Sequence, residues 1–111
     1  MTRNTYIELP VASTGDAKAF YQAALGWTFA DFGPSYASTM EGTGDMGLQA
    51  DPAEKTTALL PVIEVADVAA TLAAVESAGG TVTRPVFAFP GGQRFHFRDP
   101  NGHELAAMQP G

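Results

Sequence analysis

The chain has 111 residues, 45% of them hydrophobic, and a formal net charge of −6. That length supports one domain with its own apolar core, and the acidic balance speaks against nucleic acid and anionic membrane surfaces, which reward clustered Lys and Arg. Cysteine is absent, which excludes disulfides, thiolate metal sites and cysteine nucleophiles.

Met1-Thr2-Arg3-Asn4 leads straight into a short strand-like run, without the apolar core of a signal peptide. The most apolar window, Ala58 to Ile63, is far too short to span a bilayer. A soluble cytoplasmic protein with no membrane partner is expected. Tyr6 to Val11 alternates as a strand does, with Ile7, Leu9 and Val11 on one face and Tyr6, Glu8 and Pro10 on the other. Ser13-Thr14-Gly15-Asp16 resembles a capping box with Asp in the usual Glu or Gln place. Ala17, Phe20, Tyr21 and Ala24 follow at the spacing of one helix face, and Gly26 suits the left-handed stop. Trp27 to Ala30, Tyr36 to Met40 and Met46 to Ala50 read as strands, and Asp51 to Lys55 as a polar, proline-containing linker. The glycine-rich Glu41 to Gly47 stretch carries acid rather than Lys and precedes no helix, so it predicts a hairpin or lid rather than a phosphate loop.

The same order then returns. Leu59 to Val65 predicts a strand, Val68 to Ala78 a helix behind Asp67, and Thr81 to Phe87 and Gln93 to Arg98 two strands joined through Pro90-Gly91-Gly92. Asp99-Pro100-Asn101-Gly102 fits a type I turn into a last strand, Glu104 to Met108. Sliding the first half onto the second places Leu9 on Ile63, Val11 on Val65, Ser13 on Asp67 and Gly26 on Gly80. Two copies are too few for a solenoid. They predict two half-domains, about 1–52 and 56–111, sharing one core within a single domain over 1–111.

Several marks in this order are specific: Val11-Ala12-Ser13 leading to Ala19-Phe20-Tyr21 and Leu25-Gly26-Trp27, then Val65-Ala66-Asp67, Ala78-Gly79-Gly80 and Asp99-Pro100-Asn101-Gly102-His103-Glu104-Leu105. Together they resemble the vicinal oxygen chelate superfamily, the glyoxalase, bleomycin-resistance and extradiol-dioxygenase group, over essentially the whole chain. The resemblance implies an α+β fold of two βαβββ modules whose mixed sheets curl into an incomplete barrel around a cavity, commonly completed by a second subunit. A homodimer is therefore expected, which also fits the closed two-fold symmetry of most oligomers.

Strand parity selects cavity residues without the family. If Ile7, Leu9 and Val11 face a helix, Tyr6 and Glu8 face the opposite side; by the same rule Leu60, Val62 and Glu64 oppose Ile63 and Val65. The phenylalanines of Arg94-Phe95-His96-Phe97-Arg98 pack, which leaves Arg94 and His96 beside Glu104, Ala106 and Met108 on the next strand. With Trp27 and Tyr36 this gives an apolar wall with a few convergent polar groups, the composition of a small-molecule pocket. Each residue also has a structural explanation: Glu8 as a solvated sheet residue, His96 as a satisfied histidine, Trp27 as core, and Arg94 as the neutralising partner of Glu104 across the hairpin. The six basic residues are scattered along the chain, apart from Arg94 and Arg98.

The superfamily's enzymes commonly hold a divalent metal with His, Glu or Gln from four strands. Carried over, those positions fall on Tyr6, on Gln49 or its neighbour Ala50, on Leu60 and on Glu104. Leucine offers no donor and tyrosine a poor one, whereas hard divalent ions want about six oxygen ligands and zinc four donors. No metal cofactor is expected; any metal would need Glu104 with Glu8 or Gln49, or with Glu64 after a register change. The expected function is a small-molecule-binding protein of glyoxalase/bleomycin-resistance type with a degenerate metal site. It would take an aromatic or cationic compound on Tyr6, Glu8, Trp27, Tyr36, Gln49, Arg94, His96, Glu104 and Met108. The alternative is a metal-dependent lyase, isomerase or dioxygenase with an altered ligand set. No serine sits in a nucleophile elbow.

Overall fold

The computed structural model describes residues 2–41 and 44–111, so Gly42 and Thr43 of the expected hairpin or lid lie outside the described residues. The described residues form eight strands and two helices in the order strand–helix–strand–strand–strand, twice over. The architecture is α+β, as the repeat predicts. Contacts divide the chain into one unit of Tyr6–Leu60 and another of Met1–Thr5 with Pro61–Gly111.

In the first unit, strands β1 (Arg3–Pro10), β2 (Ala30–Asp31), β3 (Tyr36–Ser38) and β4 (Asp45–Gln49) lie in the order β2-β3-β4-β1. β1 runs parallel to β4, and β3 antiparallel to it. Helix α1 (Thr14–Leu25) starts where the sequence places it: Ser13 is extended, and its hydroxyl accepts from the Asp16 N–H at 3.2 Å. It stops at Gly26, whose φ of 71° closes the helix through an N–H bond to Gln22 O. Two expectations need correction. Trp27 to Phe29 are not strand, because Tyr21 of α1 draws both rings against itself, Trp27 stacked at 5.4 Å and Phe29 tilted at 6.4 Å. The packed stripe of α1 also runs through Thr14, Ala17, Lys18 and Tyr21, so that Phe20 (63% exposed) and Ala24 face outward.

In the second unit, β5 (Leu60–Glu64), β6 (Thr81–Phe89), β7 (Gly92–Arg98) and β8 (Glu104–Pro110) lie in the order β5-β8-β7-β6. Helix α2 (Val68–Ser77) lies on one face of this sheet, where Val65, Val68, Phe95 and Ala107 form a buried cluster flanked by Ile63, Leu72, Val75, Val82 and Phe97. Alternation of apolar residues on β5, β7 and β8 therefore does what parity requires. Two side chains seal the helix start: Asp67 accepts from Ala70 N–H at 3.1 Å, and Gln109 of β8 accepts from Val68 N–H at 2.9 Å. The β7–β8 register is fixed by the Asp99–Gly102 turn, closed by Gly102 N–H to Asp99 O at 2.9 Å. The Asp99 carboxylate holds Asn101 and His103 N–H groups inside it. Among the described residues, no helix is long and apolar enough to cross a membrane.

Candidate functional site

The chemistry-bearing residues gather on two sheet faces, one in each unit. In the Tyr6–Leu60 unit, Glu8 lies opposite Gly47, Tyr36 and Pro10 opposite Gln49, and Tyr6 opposite Asp45. Cross-strand partners share a face, so Tyr6, Glu8, Tyr36 and Gln49 all belong to one side. Glu8 is 3% exposed, and the Tyr36 hydroxyl donates to its Oε2 at 3.0 Å. That bond depends on Gly47 lying between them: a Cβ there would sit 2.3 Å from the Tyr36 oxygen. Gln49 has a local task, its Oε1 accepting from Asp51 N–H at 3.0 Å. Trp27 meets this face through Asp45, the cross-strand partner of Tyr6. Stacked on Tyr21, it lines a shallow pocket of about 310 Å³ with Thr28, Thr39, Asp45 and Met46.

In the second unit the face turned away from α2 is mostly hydrocarbon, with Val62, Ala106 and Met108 all buried. Set into it are Arg94, 6% exposed, and His96, 3% exposed. His96 Nδ1 lies 3.4 Å from Glu104 Oε2, and the Thr83 hydroxyl donates to the same oxygen at 3.0 Å. Nε2, the other ring nitrogen, has almost no exposed surface. The expected Arg94–Glu104 pairing gives way to His96–Glu104, because the register sets Arg94 opposite Met108 and Arg98 opposite Glu104. Burying an ionisable group costs free energy unless it is partnered, and here histidine, carboxylate and hydroxyl supply one another.

Sequence reasoning passed over three residues of this face: Thr83, Arg84 and Phe87. The available signal was Pro85 inside a strand, since proline cannot donate to a ladder and marks bulges or edges. β6 is indeed irregular on both sides of Arg84, with register shifts between Val82 and Arg84 and between Arg84 and Phe87. The basic residues scattered in sequence are consequently not all scattered in space.

The family's metal does not fit the donors present. β1 pairs with β4 as β5 pairs with β8, and in that shared register Asp45 occupies in the first module the place of Glu104 in the second. Asp45 is thus a better match than Gln49 to the second ligand position. Its Oδ1, however, already accepts from the Thr39 hydroxyl at 2.7 Å and the Glu41 N–H at 2.8 Å. Leu60 is fully buried hydrocarbon, Glu64 lies 3.7 Å from Arg3, and Glu8 holds the Tyr36 hydroxyl. Among the described residues no group of three or more His, Asp or Glu is placed to bind an ion.

The order strand–helix–strand–strand–strand, twice over, defines the class of fold. The family profile described as Glyoxalase/Bleomycin resistance protein/Dioxygenase superfamily matches residues 4–107, and the chain belongs to that superfamily. No curated protein sequence matches it. Solved structures of the same fold include a Legionella pneumophila protein described as an NAD-dependent benzaldehyde dehydrogenase (18% identity, TM-score 0.79, covering 96% of this chain and 99% of that one). A superfamily member from Vibrio splendidus has 15% identity and a TM-score of 0.72, with 99% of each chain covered. Methylmalonyl-CoA epimerase from Mycobacterium tuberculosis has 12% identity and a TM-score of 0.73, covering 99% of this chain and 87% of that one. At such identities the likeness is one of fold.

Proposed function

We propose that this chain is a small-molecule-binding protein of glyoxalase/bleomycin-resistance type that works without the family's metal. Its ligand is an aromatic or cationic organic compound. The observation that carries this reading is the His96–Glu104–Thr83 array embedded among Val62, Ala106 and Met108. An apolar surface with a few convergent polar groups is what binds and orients a small organic molecule, and sequestration requires no nucleophile or metal. Two further features support it: Leu60 at a ligand position offers no donor, and Asp45 is committed to its own hairpin.

Native mass spectrometry of freshly purified protein, followed by titration with any co-purified compound, tests the reading. A stoichiometric organic ligand whose affinity falls about ten-fold or more in Glu104→Gln, with the variant still folded, is the expected result. Stoichiometric divalent metal and no organic ligand would overturn it in favour of the metal-dependent enzyme.

The protein acts as a homodimer in this reading. Phe20, Leu25, Phe32 and Met40 all expose large apolar surface within the Tyr6–Leu60 unit, and soluble monomers rarely leave such surface contiguous. Light scattering at tens of micromolar (a rough working range for interfaces of ordinary size) is expected to report twice the chain mass. A monomer there would contradict the dimer and leave the binding reading standing.

A further inference from the structure

Strand β6 departs from alternation where it matters. Arg84 and Phe87, on opposite faces in a regular strand, come to share one, because the register runs from Arg84 opposite His96 to Phe87 opposite Arg94. The extra residue is absorbed beside Pro85. On that shared face the Arg84 guanidinium carbon lies 3.6 Å from the centre of the Phe87 ring. Arg94 approaches the same ring at 5.5 Å and Phe89 at 5.4 Å, and the His96 ring lies 5.8 Å from Phe87. Two of the chain's six basic residues therefore meet around one aromatic ring, in a protein whose net charge is −6.

Two carboxylates of this unit, Glu104 and Glu64, are engaged within the protein. Glu104 receives Thr83 and faces His96, and Glu64 lies against Arg3. Both arginines make further contacts within the protein. A guanidinium nevertheless carries five N–H donors in a planar fork, more than one protein partner uses. Stacking over a ring fixes the plane of that fork and leaves its edge suited to bidentate recognition of a carboxylate. Arg84 and Phe87 are half-buried, within reach of a ligand, above a buried base of Arg94 and His96.

We infer that this face recognises an aromatic carboxylate, its anionic group held by the edge of Arg84 and its ring packed beside Phe87. The inference rests on the small-molecule reading and narrows it from aromatic or cationic to aromatic and anionic. Calorimetric titration of the whole protein with benzoate, benzyl alcohol and benzylammonium tests it, because the three probes share a ring and differ in charge. Benzoate is expected to bind on the order of ten-fold or more tighter than the other two, the usual reach of a charged hydrogen bond. Arg84→Gln removes that preference and leaves benzyl alcohol within about two-fold, while Arg84→Lys, charged but without the fork, recovers part of it. If benzyl alcohol or benzylammonium binds as well as benzoate, the inference falls and the small-molecule reading survives. If no probe binds at millimolar concentration, the inference falls, and the small-molecule reading is decided separately by the co-purified ligand. Should Arg84→Gln fail to fold, the order of the three probes on the unaltered protein decides the matter alone.

Discussion

At the residue scale, Gly47 is constrained by a neighbour's reach rather than by backbone conformation. Tyr36 reaches Glu8 across the strand between them, and only a missing side chain at Gly47 lets the phenol pass. Gly47→Ala must push the ring aside, which costs the Tyr36–Glu8 bond and leaves a buried carboxylate without that donor. We expect a loss of about 1–3 kcal/mol in urea denaturation, the range for a buried polar group deprived of a partner. Tyr36→Phe removes the same donor from the same buried carboxylate and should cost a similar amount, about 1–3 kcal/mol. In the Tyr36→Phe background the alanine meets no oxygen, so the double variant should be clearly less destabilised than the two losses added. Strict additivity would show that Gly47 and Tyr36 act independently and that the passage argument is wrong.

At the element scale, the two helices differ in how firmly they are built in. α2 is capped by Asp67 and by Gln109 from across the sheet, and it covers the fully buried Phe95. None of the residues of α1 is buried. Phe95→Ala should cost about 3–5 kcal/mol, as large-to-small core changes do, while Gln109→Ala should cost only the cap, about 0.5–2 kcal/mol. Thermal or chemical unfolding measures both, and a loss below the Gln109 value at Phe95 would mean the core had been misplaced. The same elements show what was legible beforehand. Helix starts and stops at Ser13, Gly26 and Asp67, and the inward Phe95 and Phe97, follow from local rules of capping and alternation, so the chain displays them directly. The short β2, the outward turn of Phe20 and the partner of Glu104 depend on contacts between residues far apart in sequence. Parity put Tyr6 and Glu8 on one face, as the register does, but it could not foresee Arg84 and Phe87 sharing another. A bulge breaks the period of two on which parity rests, and Pro85 was the single local hint of one.

At the scale of the whole molecule, the fold narrows the chemistry less than the donor set does. The structural neighbours include proteins described as an epimerase and as a dehydrogenase, so one architecture supports unrelated descriptions and the argument must return to particular side chains. Four strands would each have to supply a metal ligand. One supplies Leu60, which has no donor atom; one supplies Tyr6; Asp45 is held by Thr39 and Glu41; Glu104 is held by Thr83 beside His96. Binding a divalent ion would require at least two of these arrangements to be undone, and Leu60 would still contribute nothing. Added nickel, zinc or manganese should therefore leave the melting temperature unchanged. The contrast is measurable, because an ion present at about 100 times its dissociation constant would add about 2.7 kcal/mol through linkage, a shift on the order of ten degrees for a chain of this size. A saturable rise with any of the three ions would overturn the metal-free reading. Restoring a donor provides the converse measurement: Leu60→His places an imidazole at the one position that lacks a donor. A metal-dependent rise in that variant, absent from the parent chain, would show that Leu60 excludes the ion and that the hydrogen bonds of Asp45 and Glu104 do not.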